Sequence, residues 1–204
     1  MVSSINAGAF SNCKNLISID MPLLSSIGNG YVFSDCTSLI SIDMPRLSSI
    51  KASRVFKNCT SLKTIDNLPL TSIVGLETFY NCTSLTSVNL PHISGLVGSS
   101  TDGLGVFGNC TNLVSARLEN ISALGPSAFE NCTKLEYVNI SRCKNIHYDA
   151  FNGCEKLSSV ILSNNNETVT TIYSSNVFKN IGHLVSVYIP DGMTESYRAD
   201  ANWA

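Results

Sequence analysis

The chain has 204 residues, a formal net charge of −2, 14% charged and 44% hydrophobic residues. That length supports one sizeable core. The near-neutral balance, with no Lys/Arg cluster, excludes a surface built to bind nucleic acid or anionic membrane by charge, and apolar runs of only a few residues exclude direct membrane insertion as a spanning helix.

From the N-terminal end, Met1-Val-Ser-Ser-Ile5 contains no charged-then-apolar stretch of a secretory signal. It reads as a start inside a repeat, with a signal or further repeats expected upstream. Ile5, Ala9 and Phe10 already follow the pattern that fills the chain. All eight phenylalanines, Phe10, Phe33, Phe56, Phe79, Phe107, Phe129, Phe151 and Phe178, open one frame. Cysteine follows three residues later in seven copies, at Cys13, Cys36, Cys59, Cys82, Cys110, Cys132 and Cys154, with Ile181 in the last. Leucine stands at +6 in every copy and an apolar residue at +9. The Phe-to-Phe steps are 23, 23, 23, 28, 22, 22 and 27 residues. Periods of this size mark a solenoid or an array of small units, so residues 1–189 read as one repeat array and 190–204 as its C-terminal cap.

Within the second copy, Ile42 and Met44 alternate with Ser41 and Asp43, which is strand patterning. A short strand is expected over 40–44, with Ile42 and Met44 inward and Ser41 and Asp43 outward. Pro45 ends it, because proline cannot donate to a ladder. Leu47 and Ile50 return inward on the far side, separated by Ser48-Ser49, and a polar turn leads to Phe56. One such coil cannot bury both apolar faces, so parallel stacking is required, with equivalent residues about 5 Å apart.

The cysteines exchange with isoleucine in one column and read as small buried core residues with free thiols. Parallel side chains pointing the same way do not supply the near-right-angle torsion of a disulfide. Cys143 aligns with Leu24, Leu47, Leu70, Ile93 and Ile121 and reads as core too. No Cys-x-x-Cys or Cys/His cluster suggests zinc. The residue before each ladder cysteine is Asn, Asp or Gly, which tolerate left-handed backbone, so a turn is expected at that corner. The Asn-Cys-Thr triplets at 58, 81, 109 and 131 follow from the repeat and carry no glycan meaning.

Two coils are longer than the rest. One insertion falls around Gly98 to Gly105 and reads as a glycine- and serine-rich loop. The other is marked by Asn164-Asn165-Asn166. After Ile189-Pro190 the repeat stops. Met193 and Tyr197 are four apart, which predicts a short helix laying Tyr197 and Trp203 over the last coil. The N-terminus shows no comparable cap, and an open coil end there is expected to permit self-association.

The unit Ile-Gly-x-x-Ala-Phe-x-x-Cys-x-x-Leu-x-x-Ile-x-Leu-Pro, matched best at Ile5 to Phe10, at Leu124 to Phe129 and in the eight frames, resembles the BspA-like bacterial surface leucine-rich repeat family. Methionine replaces the second strand leucine at Met21 and Met44. Asn67 stands there in the third coil, whose strand is expected to be disturbed. The ending from Ile189-Pro190 to Trp203 resembles the tail that closes such domains. The resemblance implies a leucine-rich repeat solenoid, right-handed, curved and β-rich, with a parallel sheet on one face and a short C-terminal capping helix. It also implies cell-surface or secreted placement and adhesion or host contact. It implies no particular ligand.

The outward strand positions form the candidate binding face: Asp20, Asp43, Asp66, Asn89, Arg117, Tyr137, Asn139 and Tyr188. Three stacked aspartates repel by roughly 1–3 kcal/mol per neighbouring pair. The strip reads as splayed, solvated carboxylates, with a seat for a cation or basic ligand as the alternative. Arg117, Tyr137 and Tyr188 offer rigid contact area. Catalysis finds no footing: His92, His147 and His183 are scattered, no nucleophile elbow or phosphate loop occurs, and equivalent aspartates are not driven apart into an acid and a base. No cofactor or metal is expected. The expected role is recognition of a protein or glycan partner through the sheet face, with a structural spacer or self-associating element as the alternative.

Overall fold

The computed structural model describes residues 4–96, 105–163, 168–182, 186–200 and 203. The insertion around Gly98 to Gly105 lies outside them apart from Gly105, as do Asn164, Asn165, Asn166, His183 and Leu184. Fourteen short strands alternate along the described chain: β1 (Ser18–Asp20), β2 (Ser26–Ile27), β3 (Ser41–Asp43), β4 (Ser49–Ile50), β5 (Ser72–Ile73), β6 (Ser87–Asn89), β7 (Gly95–Leu96), β8 (Ser115–Arg117), β9 (Ala123–Leu124), β10 (Tyr137–Asn139), β11 (Asn145–Ile146), β12 (Ser159–Ile161), β13 (Thr171–Ile172) and β14 (Ser186–Tyr188). All pairings are parallel and in register, equivalent residue over equivalent residue, as Ile42 over Ile19 and Val160 over Val138. A coil is counted below from its Phe, so Phe10 opens coil 1 and Phe178 coil 8.

The strand expected over 40–44 forms over Ser41–Asp43, and its ladder runs as β1–β3 and β6–β8–β10–β12–β14. A second ladder runs beside it, as β2–β4–β5–β7 and β9–β11–β13. The sheet is therefore not confined to one face. The far-side Ser-Ile pair is only two residues long, too short to show alternation, yet its isoleucine is buried and its neighbours bond coil to coil. Thr71 N donates to Ser48 O at 2.8 Å and Val74 N to Ile50 O at 2.9 Å.

Between the ladders the core is a set of columns. Phe33, Phe56, Phe79, Phe107, Phe129 and Phe151 are fully buried. Their rings, with Phe10 and Phe178 at the ends, stack at 5.2 to 5.9 Å between centroids and within 14° of parallel. Each buried phenylalanine contributes about 1.5–3 kcal/mol by leaving water. Offset stacking of such pairs adds about 0.5–1.5 kcal/mol.

The thiols are free, and they do more than fill space. Cys59 Sγ donates to Phe33 O of the preceding coil at 3.2 Å, Cys82 to Phe56 O at 3.2 Å and Cys132 to Phe107 O at 3.1 Å. Each of these carbonyls also accepts the amide of the cysteine in its own turn. Both lone pairs of a buried acceptor are thus used, which a methyl group in place of the thiol would not achieve.

The corner column is left-handed as expected, with φ of 57 to 61° at Asn12, Asp35, Asn58, Asn81, Asn109 and Asn131. Its amides also bond along the stack: Asn58 Nδ2 to Asp35 Oδ1 at 2.7 Å and Asn81 Nδ2 to Asn58 Oδ1 at 2.9 Å. A second left-handed column, four residues earlier, is not announced by residue type. It includes Tyr31, Arg54, Glu77, Ser127 and Asp149 beside Gly8. Only at Gly8 does the residue fit that backbone without steric cost.

Coil 3 departs from the rest, as Asn67 predicts. No strand forms at 64–66. An amide in the core slot of Met44 would need buried partners. Asn67 instead stays exposed and Leu68, one residue later, turns inward and is buried. Side chains replace the lost rungs. Asn67 Nδ2 donates to Ile42 O at 2.9 Å, and Asp66 Oδ1 accepts Asn89 N at 2.7 Å.

At the far end, α1 (Thr194–Ala199) follows Met193. Tyr197 is buried; its hydroxyl donates to Thr170 Oγ1 and accepts Thr170 N, both at 3.0 Å. Trp203 Nε1 donates to Thr170 O at 2.7 Å, and its ring lies 5.8 Å from that of Phe178. The aromatic stack therefore ends under a tryptophan lid.

Candidate functional site: the outward face of the three-residue ladder

The parallel register carries seven of the eight candidate residues onto outward strand positions. Six stand last in their strands, Asp66 holds the equivalent position in the strandless coil 3, and Tyr137 stands two residues before Asn139. Asp20 lies directly over Asp43 across β1 and β3, and both are exposed. Asp66 is different in kind. Its carboxylate spans the strandless coil 3, bonding Asn89 N and accepting Ser87 Oγ at 3.0 Å. It belongs to the scaffold rather than to a row of three equivalent acids.

Past that gap, β6, β8 and β10 present Asn89, Arg117 and Asn139 in register. The Arg117 guanidinium sits 5.8 Å from the centroid of Tyr137 on the next strand, within cation–π range. Asn139 is held by Glu119, its Nδ2 donating at 2.9 Å, and its Oδ1 accepts Ser141 N at 3.2 Å. Tyr188 on β14 is 55% exposed and stands next to Ile161. The face therefore runs from an acidic end through a fixed polar middle to an aromatic end. Glu119 was not anticipated: it lies in the turn after β8, and its contact depends on which coil the turn leans toward.

Among the described residues no three His, Cys, Asp or Glu side chains gather as metal ligands. His92 is exposed, and His147 stacks on Tyr173 with centroids 4.7 Å apart. No described helix is long and apolar enough to cross a membrane.

Another cluster of charge lies at the corner. The side chain of Glu77 is 4% exposed and bonds Arg54 at 2.9 Å and also Lys57. Arg54 in turn lies 5.4 Å over the Tyr31 ring, and Lys57 lies 5.3 Å over Tyr80. Burial pushes the Glu77 carboxyl up, but the hydrogen bonds from Arg54 and Lys57 outweigh it and hold it below its ordinary value.

A model of the BspA type leucine rich repeat region matches residues 1–101 and 100–199. The chain belongs to the BspA-type leucine-rich repeat family. Comparison with curated proteins gives no match. Among solved structures, this BspA-type chain is similar to a leucine-rich repeat protein of T. pallidum, with 27% identity, a TM-score of 0.65, and 76% of this chain and 72% of that one covered. It also shares its fold with a leucine-rich repeat protein from Bacteroides ovatus (22% identity, TM-score 0.54, 93% and 59% covered). A leucine-rich cell surface protein from Faecalibacterium prausnitzii gives 21% identity, a TM-score of 0.55, and 97% and 66% covered. The BspA-type repeat unit accounts for the columns described above; it does not dictate the outward ladder positions.

Proposed function

We propose that this BspA-type module is a non-catalytic recognition element, displayed at the cell surface or secreted, that binds a protein or glycan partner through the outward face of the three-residue ladder. One observation carries the reading. The Phe, Cys and Leu columns that build the core are nearly uniform, while the outward position after the buried +9 residue runs Asp20, Asp43, Asp66, Asn89, Arg117, Asn139, Ile161, Tyr188. Side chains freed from packing duty there include a guanidinium–tyrosine pair and a second exposed tyrosine, groups that give large contact area at low entropic cost. The F. prausnitzii neighbour, a cell surface protein, supports the placement.

The test is capture of the purified chain on panels of extracellular-matrix proteins and of neutral glycans. Substituting Arg117, Tyr137 and Tyr188 together by alanine is expected to abolish capture while the thermal melt is kept. Undiminished capture rejects the face as the binding surface. Sedimentation in the same buffer separates recognition by a monomer from assembly of copies.

A further inference from the structure

Where coil 3 loses its strand, the backbone rung to coil 4 is also lost. Ile40 N donates to Ile17 O at 2.8 Å, Lys63 N to Ile40 O at 3.2 Å, and Val114 N to Thr86 O at 2.9 Å. Among the described residues no main-chain bond joins Thr86 to Lys63. At this step an open cleft of about 450 Å³ is lined by Lys63, Ser84, Thr86, Asn112 and Lys134. These residues come from coils 3, 4, 5 and 6, so the cleft runs along the stack for roughly 15 Å, three coil steps of about 5 Å each. Lysines stand at its two ends, and no carboxylate lines it.

The walls are ordered. Lys134 Nζ donates to Asn112 Oδ1 at 2.7 Å, which leaves two of its three donors free. Asn112 Nδ2 is itself anchored on Thr83 O at 2.7 Å. The hydroxyls of Ser84 and Thr86 make no bond within the described protein and are open to a polyhydroxylated ligand.

We infer that this cleft is a binding site for an acidic oligosaccharide, whose carboxylate or sulfate groups meet Lys63 and Lys134 while ring hydroxyls bond Ser84 and Thr86. Four features favour a sugar chain over a single anion: the length, the separated cations, the neutral hydroxylated floor and the openness along the stack. The inference rests on the reading of the module as a recognition element and names a ligand class and a seat for it beside the ladder face.

The experiment is fluorescence polarisation with two labelled hexasaccharides, one from heparin and one from hyaluronan, against neutral maltohexaose. Wild-type protein is expected to bind at least one acidic probe, more weakly as salt rises, and to leave maltohexaose free. Lys63→Gln with Lys134→Gln is expected to weaken binding about tenfold or more, and Lys63→Arg with Lys134→Arg to retain most of it. The Arg117, Tyr137, Tyr188 alanine variant is expected to bind the acidic probe as wild type does. Binding of neither acidic probe overturns the inference. So does equal binding of maltohexaose, or full competition by single-stranded DNA of matched charge, which would reveal a mere charge sink. Loss in the ladder-face variant with retention in the glutamine variant moves the ligand onto the face: it overturns the cleft and leaves the proposed function standing.

Discussion

A thiol in the Phe-Cys column is worth more than its volume. Cys82, Cys110 and Cys154 each donate to the carbonyl of the phenylalanine one coil back, at 3.1 to 3.3 Å. Burial pushes Cys110 and Cys154 up to about 12 and Cys143 up to about 11. The thiolate is the reactive form, so these side chains are inert in the folded state. Of the eight cysteines, only Cys13 is partly exposed, and Ellman's reagent is expected to titrate one thiol quickly in native protein and eight in denaturant. Fast reaction of several thiols without denaturant would contradict the ladder. Glu77 gives a second residue-level outcome. Its folded carboxyl is held below the ordinary glutamate value by Arg54 and Lys57, against the opposing effect of burial. A depressed carboxyl adds stability that is full above its unfolded pKa, about 4.3, and is lost as pH falls through the folded value. Glu77→Gln is expected to lower stability at neutral pH by about 1–3 kcal/mol, and its urea midpoint is expected to fall less steeply than wild type below pH 5. The Phe and Asn columns were legible because side-chain chemistry alone selects them. The left-handed turns at Tyr31, Arg54 and Glu77 were not, because neighbouring coils impose them on residues with no preference for that backbone.

At the scale of one element, the third coil shows how far a single polar residue propagates. Asn67 in a core slot was enough to predict a disturbed strand. The sequence could not show that Leu68 would take over the slot or that Asp66 would bridge the break, since both depend on the chain shifting by one residue against fixed neighbours. This is also why Asp66 read as the third member of an acidic strip; the cleft from Lys63 to Lys134 was missed because its lysines are 71 positions apart in sequence and line one cleft only once four coils are stacked. The second ladder escaped notice for a different reason, since two-residue strands carry no period. The expected consequence of the break is measurable by amide exchange. Thr86, without its rung, is expected to exchange faster than Ile40 and Val114, the same position in coils where the rung is made. Asp66→Ala, which removes the acceptor of Asn89 N and Ser87 Oγ, is expected to cost about 1–2 kcal/mol and to speed exchange at Asn89. Equal protection at all three amides would mean that the ladder is continuous through coil 3.

Over the whole molecule, stability is a sum of coils and of the contacts between nearest neighbours. No coil holds a core of its own, because in the inner coils the described Phe, Cys, Leu and Ile side chains are covered by their counterparts above and below. The cost of a cavity must therefore depend on its position in the stack. Phe107 is fully buried, with rings at 5.7 and 5.5 Å on either side. Removing it deletes two stacking contacts and leaves a void that ordered neighbours cannot fill, so Phe107→Ala is expected to cost about 3–5 kcal/mol. Phe178 is only partly buried and rests between Phe151 and the tilted ring of Trp203. Its loss should matter less to the global midpoint, yet it uncouples the lid that Tyr197 and Trp203 form through Thr170. The two variants should thus fail in different ways. Phe107→Ala is expected to separate the unfolding of coils before and after it, broadening the urea transition and lowering its slope, because cooperativity along a stack passes through every interface in turn. Phe178→Ala is expected to keep the slope and raise amide exchange only toward the C-terminal coils. Identical broadening in both, or none in either, would mean that the coils are not coupled chiefly through the aromatic column, and the two flanking ladders would then be the elements that carry cooperativity from one coil to the next.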